Sequence, residues 1–537
     1  MVRRLFVLAA LAGLPVAALI AQDSRTVDAR AVLQASLKAM GGADLKTIQY
    51  SGAGWFSQIG QTYGLAEDWP KYEVTDYTRV IDYDARWSRE DYTRRQGNYP
   101  LLGRTPMPEG RVTAILSGSD AWNMQGTTAV PLVRPYLDGV PFGDLRQLEV
   151  AITPHGFLKA ALAAPNATAI TLPIVGASDF GLSQNGRKVT IVSFTMLGKY
   201  KVNGTINDQN LVELVDTWFP NPVYGDMDYE MRYTQYRDFN GVKFPTLVHV
   251  HQGDPRLNPA HNYYELRISN VSGNVRVPTI PVPDAVRQAT PAPVKVESQK
   301  LADGVWLLAG GTHHSMLVEF RDFVAVVEAP VNEARSLAVM AEANRLVPDK
   351  PIRYAVNTHH HFDHLGGLRT YLSQGTTIVT HESNKEYYLD ILFHPSPWTL
   401  QPDRLALYSP MYMISRRPAP IDTVGTKYVV SDGARMMEIL HVQDMAYELG
   451  DPSYRQGNHS ADMLMAYLPK EKILLNADLY SPPAQGAQPA APTTAMKTLY
   501  QNIVKLKLDV AEHVPIHGRV GTNDEFMKMF AKGEKTN

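Results

Sequence analysis

The spacing of apolar residues changes its period along the chain, and each period predicts a different element. Between residues 24 and 40 the apolar positions recur with helical spacing, and the run stops at Gly41-Gly42, where a glycine can end a helix. From residue 72 to residue 83 apolar and polar residues alternate, which is typical of a strand with one buried face. The chain is therefore predicted to open with a helix and to continue in strands.

Short turn signals extend this β-rich pattern. Asn-Gly pairs at 185–186, 203–204 and 240–241 each separate two β-rich stretches, and this dipeptide favours a two-residue hairpin turn. Residues 142–164 are the one predicted helical interruption. Residues 22–277 are thus predicted to form a mainly antiparallel β domain.

Two stretches of this domain carry a loose resemblance. The sequence Ala-Met-Gly-Gly at 39–42 and the stretch YRDFNGVKFP at 236–245 are similar to bacterial envelope domains of the lipoprotein-carrier kind, in which a curved half-barrel covers a helix. The resemblance implies a sheet that either cradles an acyl chain or packs as a structural accessory on a neighbouring domain.

The middle of the chain is marked by a proline-rich stretch. Five prolines between residues 278 and 293 predict a stiff linker. Beyond it, residues 294–537 alternate predicted strands with predicted helices at 331–346 and 367–374, the pattern of an α/β domain. An insertion rich in aromatic residues and methionine extends from His381 to Tyr428. It can form a lid beside a cleft or pack on the first domain, and the pattern leaves both open.

Candidate chemistry is concentrated in the stretch THHHFDHLGG at 358–367, which follows an apolar run that predicts a strand. His359 and His361 are two apart, so in extended chain both imidazoles leave the same side and can reach one ion. Asp363 continues that parity, whereas the adjacent His364 requires the glycines that follow to turn the chain toward a second ion. We predict a metal site here, since imidazole and carboxylate suit zinc, with iron or manganese as alternatives.

The pattern HxHxDH followed by GG resembles the signature of the metallo-β-lactamase-fold hydrolases. The resemblance extends from about residue 294 to the C-terminus and implies an αββα sandwich. The family has further ligands in the order His, Asp, His, each at the end of a strand, and this chain offers His459, Asp478 and His517 in that order. The expected fold class is therefore α/β, with the sandwich preceded by the antiparallel β domain.

Carried over position by position, the resemblance implies two metal ions per chain, expected to be zinc. One ion would be bound by His359, His361 and His459, the other by Asp363, His364 and His517, with Asp478 bridging both. Asp363 would in addition orient a hydroxide held between the ions. Tyr480 is a candidate partner of the oxyanion or of the leaving group.

Three further positions bear on this site. The family usually has an aspartate at the end of an early strand, where this chain has Glu328, whose longer carboxylate would support the metal loop with a different geometry. By parity His360 points away from the ligands and is expected beside the site or exposed. His313 and His314 precede a predicted strand, and one of them could reach the rim of the pocket.

These residues predict an exported, dinuclear zinc-dependent hydrolase in which a metal-bridging hydroxide attacks the carbonyl of an ester, a lactone, a thioester, a β-lactam or another amide. The alternative is a mononuclear iron oxidoreductase like the sulfur dioxygenases that share the fold, and a second alternative is a non-catalytic envelope binding protein. The expected partner is a small-molecule acyl or lactone substrate. Balanced charge, 52 Lys+Arg against 54 Asp+Glu, argues against nucleic acid.

The first 21 residues are predicted to be a signal peptide. Arg3 and Arg4 precede an apolar stretch that ends near Ala21 and is too short for a stable membrane span. We therefore expect a periplasmic or secreted protein, with a retained N-terminal anchor as the alternative. The chain has no cysteine, so neither a disulfide nor a cysteine metal ligand is available.

Overall fold

The structure is a computed structural model that describes residues 25–99, 108–173, 187–255, 257, 261–278, 280–393, 398–408, 420–444, 459–487 and 490–530. The predicted signal peptide at 1–21, the Asn-Gly pair at 185–186 and the methionines at 411 and 413 lie outside the described residues. In the part of the chain that is described, no helix is both long and apolar enough to cross a membrane.

The N-terminal part forms one sheet of fourteen strands. They are β1 (Arg25–Val27), β2 (Thr47–Ser57), β3 (Lys71–Asp82), β4 (Trp87–Arg95), β5 (Gly110–Ser117), β6 (Asp120–Gln125), β7 (Thr128–Pro131), β8 (Thr168–Pro173), β9 (Lys188–Met196), β10 (Tyr200–Ile206), β11 (Val212–Asn221), β12 (Gly225–Phe239), β13 (Val242–Gln252) and β14 (Asn262–Gly273). The order in the sheet runs from β1 through β8 to β14, continues with β2 and ends at β7, with all neighbours antiparallel. The predicted antiparallel β domain is confirmed, whereas its likeness to lipoprotein carriers stays a prediction.

Three helices pack against this sheet: α1 (Ala29–Ala39), α2 (Phe142–Ala151) and α3 (Pro154–Ala163). The opening helix begins at Ala29 rather than at residue 24, because the Asp28 side chain accepts a hydrogen bond from Arg30 N and caps the helix there. Residues 25–27 pair with β8 instead. The predicted helical stretch 142–164 is divided in two at Pro154, which has no backbone donor and is tolerated only at the start of a helix.

The described Asn-Gly pairs differ in outcome. Asn240 and Gly241 connect β12 to β13, both with positive φ (54° and 89°), so that hairpin prediction is confirmed. The hairpin predicted at 203–204 is wrong, because both residues lie inside β10. A Cβ on Gly204 would lie 2.1 Å from Phe157 Cζ, so the close approach of α3 requires glycine there.

Two further sheets form the C-terminal part. The seven-stranded sheet contains β15 (Glu297–Ala302), β16 (Val305–Ala309), β17 (Ser315–Glu319), β18 (Val324–Val327), β19 (Ile352–Val356), β20 (Thr377–His381) and β21 (Ile421–Val424); the six-stranded sheet contains β22 (Lys427–Ser431), β23 (Met436–His441), β24 (Leu464–Leu468), β25 (Ile473–Ala477), β26 (Glu512–Pro515) and β27 (Gly521–Thr522). Buried side chains of both sheets share one core, which includes Met316, Val318, Ile439 and Leu475. The two sheets therefore pack against each other.

Helices complete the layers. Those of the C-terminal half are α4 (Asp284–Arg287), α5 (Glu333–Leu346), α6 (Phe362–Leu365), α7 (Leu368–Ser373), α8 (Lys385–Phe393), α9 (Arg404–Tyr408), α10 (Thr494–Lys505) and α11 (Asn523–Phe530), with a 3₁₀ turn at Glu382–Asn384. Helices α5 and α7 pack on the other face of the seven-stranded sheet, where Leu317 points, and α10 and α11 pack with the six-stranded sheet. The helices predicted at 331–346 and 367–374 are α5 and α7, and the layers follow the expected αββα order.

The linker and the insertion both contact the N-terminal part. The predicted linker contains α4, whose Val286 packs with Trp87 and Trp122 of the first sheet, so it is docked rather than extended there. In the insertion, the hydroxyl of Tyr387 lies 3.3 Å from that of Tyr224. Packing on the first domain is therefore found for α8, and the domain boundaries at 277 and 293 stay predictions.

Candidate metal centre

The metal loop, residues 357–367, begins where β19 ends at Val356 and contains the single helical turn α6. Its two glycines are needed for close packing rather than for a left-handed turn. A Cβ on Gly366 would lie 2.0 Å from the Val331 carbonyl oxygen, and one on Gly367 would lie 2.0 Å from Ser336 Oγ. The loop is thus pressed against the start of α5, which fixes the direction of the side chains it carries.

Three buried histidines form the first donor group. One nitrogen each of His359, His361 and His459 lies within 4.8 Å of the others. The first two rings are 4.5 Å apart between centroids, as the two-residue spacing predicts, and His459 enters from the loop before β24 with its ring 4.7 Å from that of His359. The structure brings together the three residues predicted for one ion.

The second donor group contains Asp363, His364, His517 and, in addition, His313. His313 Nε2 lies 3.0 Å from Asp363 Oδ2, and the rings of His313 and His517 are 4.3 Å apart. The three residues predicted for the second ion are together. His313, for which the sequence allowed a place at the rim of the pocket, lies within this donor group.

Asp478 lies between the two groups. Its Oδ2 is 3.3 Å from His364 Nε2 and 3.3 Å from His459 Nε2, and its Oδ1 is 3.5 Å from His517 Nε2. The residue follows β25, at the same edge as β26 and its following His517. One carboxylate therefore reaches a histidine of each group.

Glu328 supports the metal loop from beneath. Its side chain is fully buried, accepts a hydrogen bond from Thr358 N at 2.7 Å and one from His364 Nδ1 at 2.6 Å. Its backbone is left-handed, with φ of 77°, which is rare for a residue other than glycine and marks a constrained position. The longer carboxylate thus reaches both the backbone and a donor ring, and it sets which nitrogen of His364 faces the site.

Burial determines the charge of most donor histidines. It lowers the pKa of His359 and of His361 well below the usual histidine value, and the neighbouring imidazoles lower both further. Burial also lowers the pKa of His459 and of His313. These rings are neutral at pH 7 and have a lone pair to donate, as a metal ligand must.

The carboxylates behave in the opposite way. Burial would raise the pKa of Asp478, but the positive charge of His364 holds it well below its usual value. Asp363 is likewise held low, by His364 and His313. Burial would lower the pKa of His364, yet the charges of Asp478, Glu328 and Asp363 raise it well above the ordinary value. The site therefore concentrates anionic charge on a small buried space, which favours a cation.

Three atoms of these groups fit a metal ion. His361 Nδ1, His364 Nε2 and Asp478 Oδ1 are buried and form no hydrogen bond with any residue that the structure describes. Buried polar atoms nearly always have a partner, and a cation would supply it here. Six imidazoles and two carboxylates, all on the C-terminal sheets and their loops, are ligand types that zinc accepts.

The N-terminal sheet also reaches the metal loop, through residues 60–63 between β2 and β3, the support loop. His361 Nε2 donates to the Thr62 carbonyl oxygen at 2.8 Å, and Gln61 Nε2 donates to Asp363 Oδ1 at 2.7 Å. The backbone of the two loops is joined by Phe362 N donating to the Gly60 carbonyl oxygen at 3.1 Å. A second polypeptide segment thus orients two of the predicted ligands.

Two residues considered in the sequence analysis, His360 and Tyr480, lie outside the donor groups. His360 points away from the donors, as predicted: its Nδ1 bonds Asp462 at 2.8 Å and its Nε2 bonds Thr62 Oγ1 at 2.9 Å. The structure does not bring Tyr480 into the donor groups. Its buried ring lies 4.8 Å from that of Phe526, and its hydroxyl has no hydrogen-bond partner in the part of the chain that the structure describes.

The contribution of the support loop was not predicted. Gln61 and Thr62 belong to no motif, and they lie 302 and 299 residues before the ligands they contact. The only local signal is Gly60, whose φ of +75° is suited to glycine and whose Cβ would meet the Phe362 ring at 2.3 Å. Sequence spacing alone cannot connect that glycine to the site.

Comparison with known proteins places the C-terminal part in a family. The chain is similar to a metallo-β-lactamase from Pontibacter korlensis (19% identity, 45% of this chain and 100% of that chain, TM-score 0.31). It is also similar to the metallo-β-lactamase FIM-1 from Pseudomonas aeruginosa in its mono-zinc form (19%, 46% and 99%, 0.30) and to a metallo-β-lactamase from Hirschia baltica (18%, 44% and 96%, 0.29). No curated protein matches the chain. Residues 308–511 match the model of the metallo-β-lactamase superfamily, so this part of the chain is a domain of that superfamily.

Proposed function

We propose that the protein is an exported hydrolase that uses two zinc ions per chain to hydrolyse the carbonyl group of a small ester, lactone, thioester or amide, β-lactams included. The observation that carries the proposal is the position of Asp478, within 3.3–3.5 Å of histidines in both donor groups. A carboxylate shared by two groups of ligands is what a two-ion site requires.

The donor groups suggest how the ions would be held. The first ion would be held by His359, His361 and His459; the second by Asp363, His364 and His517; Asp478 would be shared. His313 lies beside the second group and donates a hydrogen bond to Asp363 Oδ2 at 3.0 Å. The dominance of imidazole favours zinc, and the carboxylates keep iron and manganese as alternatives.

When bound, two such ions would lower the pKa of a water molecule toward neutrality and polarise the substrate carbonyl. Asp363 accepts hydrogen bonds from Gln61 on Oδ1 and from His313 on Oδ2, so its carboxylate is held in one orientation beside the donors. It is positioned to accept a hydrogen bond from the attacking water and to orient it toward the carbonyl carbon. Its low pKa keeps it ready as the anion.

The reaction we propose is a balanced hydrolysis. The water oxygen bonds the carbonyl carbon, and the bond from that carbon to the leaving oxygen, sulfur or nitrogen breaks. One proton of the water ends on the leaving atom and the other is released from the new carboxylic acid. In a lactone or β-lactam both products stay in one molecule.

The proposal includes the cellular setting. We infer that residues 1–21 direct export, that residues 22–277 accompany the catalytic residues 294–537, and that 278–293 connect them. The mature protein would act in the periplasm or outside the cell on a small molecule rather than on nucleic acid.

Elemental analysis of the purified mature chain tests the metal, together with turnover of ethyl acetate, γ-butyrolactone and a penicillin. We expect about two zinc ions per chain and hydrolysis of at least one substrate. One iron per chain without hydrolysis would instead favour oxygen-dependent redox chemistry.

Replacement of Asp363 tests the mechanism. Asp363→Ala is expected to lower kcat by about 10²–10⁴-fold, the range of general acid–base catalysis, while circular dichroism and the melting temperature change little. Asp303→Ala is the control, because the Asp303 side chain is almost fully exposed and lies outside both donor groups. Equal turnover in Asp363→Ala and wild type would rule the mechanism out.

A further inference from the structure

A cavity of about 330 Å³ lies between the N-terminal sheet and the metal loop. Asp363 and Phe362 form its wall on the side of the metal loop, and the other lining residues come from the N-terminal part. The volume falls at the lower end of the range for pockets that bind small organic molecules. The space beside the proposed catalytic carboxylate is thus lined largely by strands and loops of the N-terminal part, outside the superfamily domain.

The N-terminal wall of this cavity is aromatic and apolar. Tyr72, Tyr136 and Tyr263 line it together with Ile59 and Leu137. The tyrosines project from separate elements: two of them lie on β3 and β14 and the third precedes α2. Aromatic side chains at several angles around one space favour a flat ring, through edge and face contacts.

Arg134 is the one cation among the described residues that line the cavity, and the carboxylate of Asp138 neutralises it. Arg134 donates to Asp138 through Nε at 2.6 Å and through Nη2 at 2.7 Å. Its Nη1 donates to Thr312 Oγ1 at 3.0 Å, next to His313. The ion pair leaves little net charge for a ligand anion, and it joins the N-terminal wall to the loop that carries a donor histidine.

We propose that this cavity binds an aromatic ring of an uncharged ester or lactone and directs its carbonyl group toward Asp363. The inference rests on the proposed function. It assigns selectivity to the N-terminal sheet: the superfamily domain supplies the chemistry, and Tyr72, Tyr136, Tyr263 and Leu137 select the acyl part.

The experiment measures binding and turnover on the zinc-loaded full chain. Calorimetric titration with sodium phenylacetate and with sodium acetate reports the contribution of the ring to product binding. Hydrolysis of ethyl phenylacetate and of ethyl acetate separates kcat from KM. For wild type we expect phenylacetate to bind at least about tenfold more tightly than acetate, a gain typical of filling an apolar pocket.

Two variants change the cavity in opposite directions. Leu137→Trp fills it, and Tyr263→Leu removes one aromatic wall; each is expected to raise KM for ethyl phenylacetate by about tenfold with little change for ethyl acetate. Tyr236→Leu is the matched control, since Tyr236 is another half-buried tyrosine of the same sheet whose hydroxyl bonds the Val212 carbonyl outside the cavity. Zinc content is expected to stay unchanged in all three.

The outcomes separate the two proposals. Selective phenylacetate binding that is lost in Leu137→Trp supports the cavity even if no ester is hydrolysed, and in that case the hydrolase proposal fails alone. Turnover with equal KM changes for both esters, or an equal loss in Tyr236→Leu, overturns the cavity while leaving the hydrolase intact.

Discussion

Two of the predicted ligands are held by different parts of the chain. Glu328, a buried carboxylate of the C-terminal part, accepts from His364 Nδ1 at 2.6 Å. The Thr62 carbonyl oxygen, in the support loop of the N-terminal sheet, accepts from His361 Nε2 at 2.8 Å. One support is a charged side chain within the superfamily domain, and the other is neutral backbone from outside it.

The two supports are expected to contribute differently to metal binding. A carboxylate both orients an imidazole and adds negative charge to it, whereas a carbonyl mainly orients. Loss of Glu328 is therefore expected to weaken metal binding more than displacement of the support loop. The support loop matters in another way, because it makes the metal site depend on how the two parts of the chain pack.

The largest effect is expected at Glu328. Glu328→Gln keeps the size of the side chain but removes its charge, and we expect zinc affinity to fall by about 100-fold, the upper end of effects for residues behind metal ligands. Competition with a chromophoric chelator measures this. Glu342→Gln on α5, where the carboxylate pairs with Arg345 and lies outside both donor groups, is the control. Unchanged affinity in Glu328→Gln would show that its role is confined to the fold.

Displacing the support loop should have a smaller effect. Gly60→Ala places a Cβ 2.3 Å from Phe362 Cγ, so the two loops must separate. We expect zinc affinity to fall by about tenfold, the lower end of the same range. Gly198→Ala is a close match, because its φ of +72° is nearly that of Gly60 (+75°) but nothing lies within 4 Å of the added carbon. If both variants bind zinc equally, contact between the loops is not needed.

The smallest effect is expected at Asp216 in the N-terminal sheet, whose contribution to stability depends on pH. Burial and the nearby charges of Asp228 and Glu230 raise the pKa of Asp216 to about 8. Since this pKa is raised on folding, the stabilisation is complete below the unfolded value near 4 and is lost as pH rises toward 8. Metal affinity instead increases as the pH rises, because the ligands must lose protons to bind the ion.

Urea unfolding followed by tryptophan fluorescence at pH 6 and pH 9 measures this loss. Asp216→Asn is expected to raise the free energy of unfolding at pH 9 relative to wild type by about 1.4 kcal/mol, the equivalent of a tenfold change in a protonation constant. Asp208→Asn, at an exposed turn position, is the control. The same pH dependence in wild type and Asp216→Asn would place its origin elsewhere.

The sequence by itself determined the elements and ligands that depend on short spacing. Alternation over residues 72–83 matches β3, and the two-residue spacing of His359 and His361 does bring their rings together, because side-chain direction in extended chain follows parity. The family order His, Asp, His also located the downstream residues at the site: His459 precedes a strand, and Asp478 and His517 each follow one. The hairpin predicted at 203–204 was wrong, because the packing of Phe157, and not a turn, explains the glycine at 204.

Only the tertiary structure decided what surrounds those ligands. His313, Gln61 and the cavity walls are brought to the metal loop by contacts between strands far apart in the chain, and no local pattern encodes such a meeting. The support of His361 by a backbone carbonyl could not be read from the sequence, since every residue has that group. Ligand identity is local chemistry, whereas ligand support and substrate space are properties of packing.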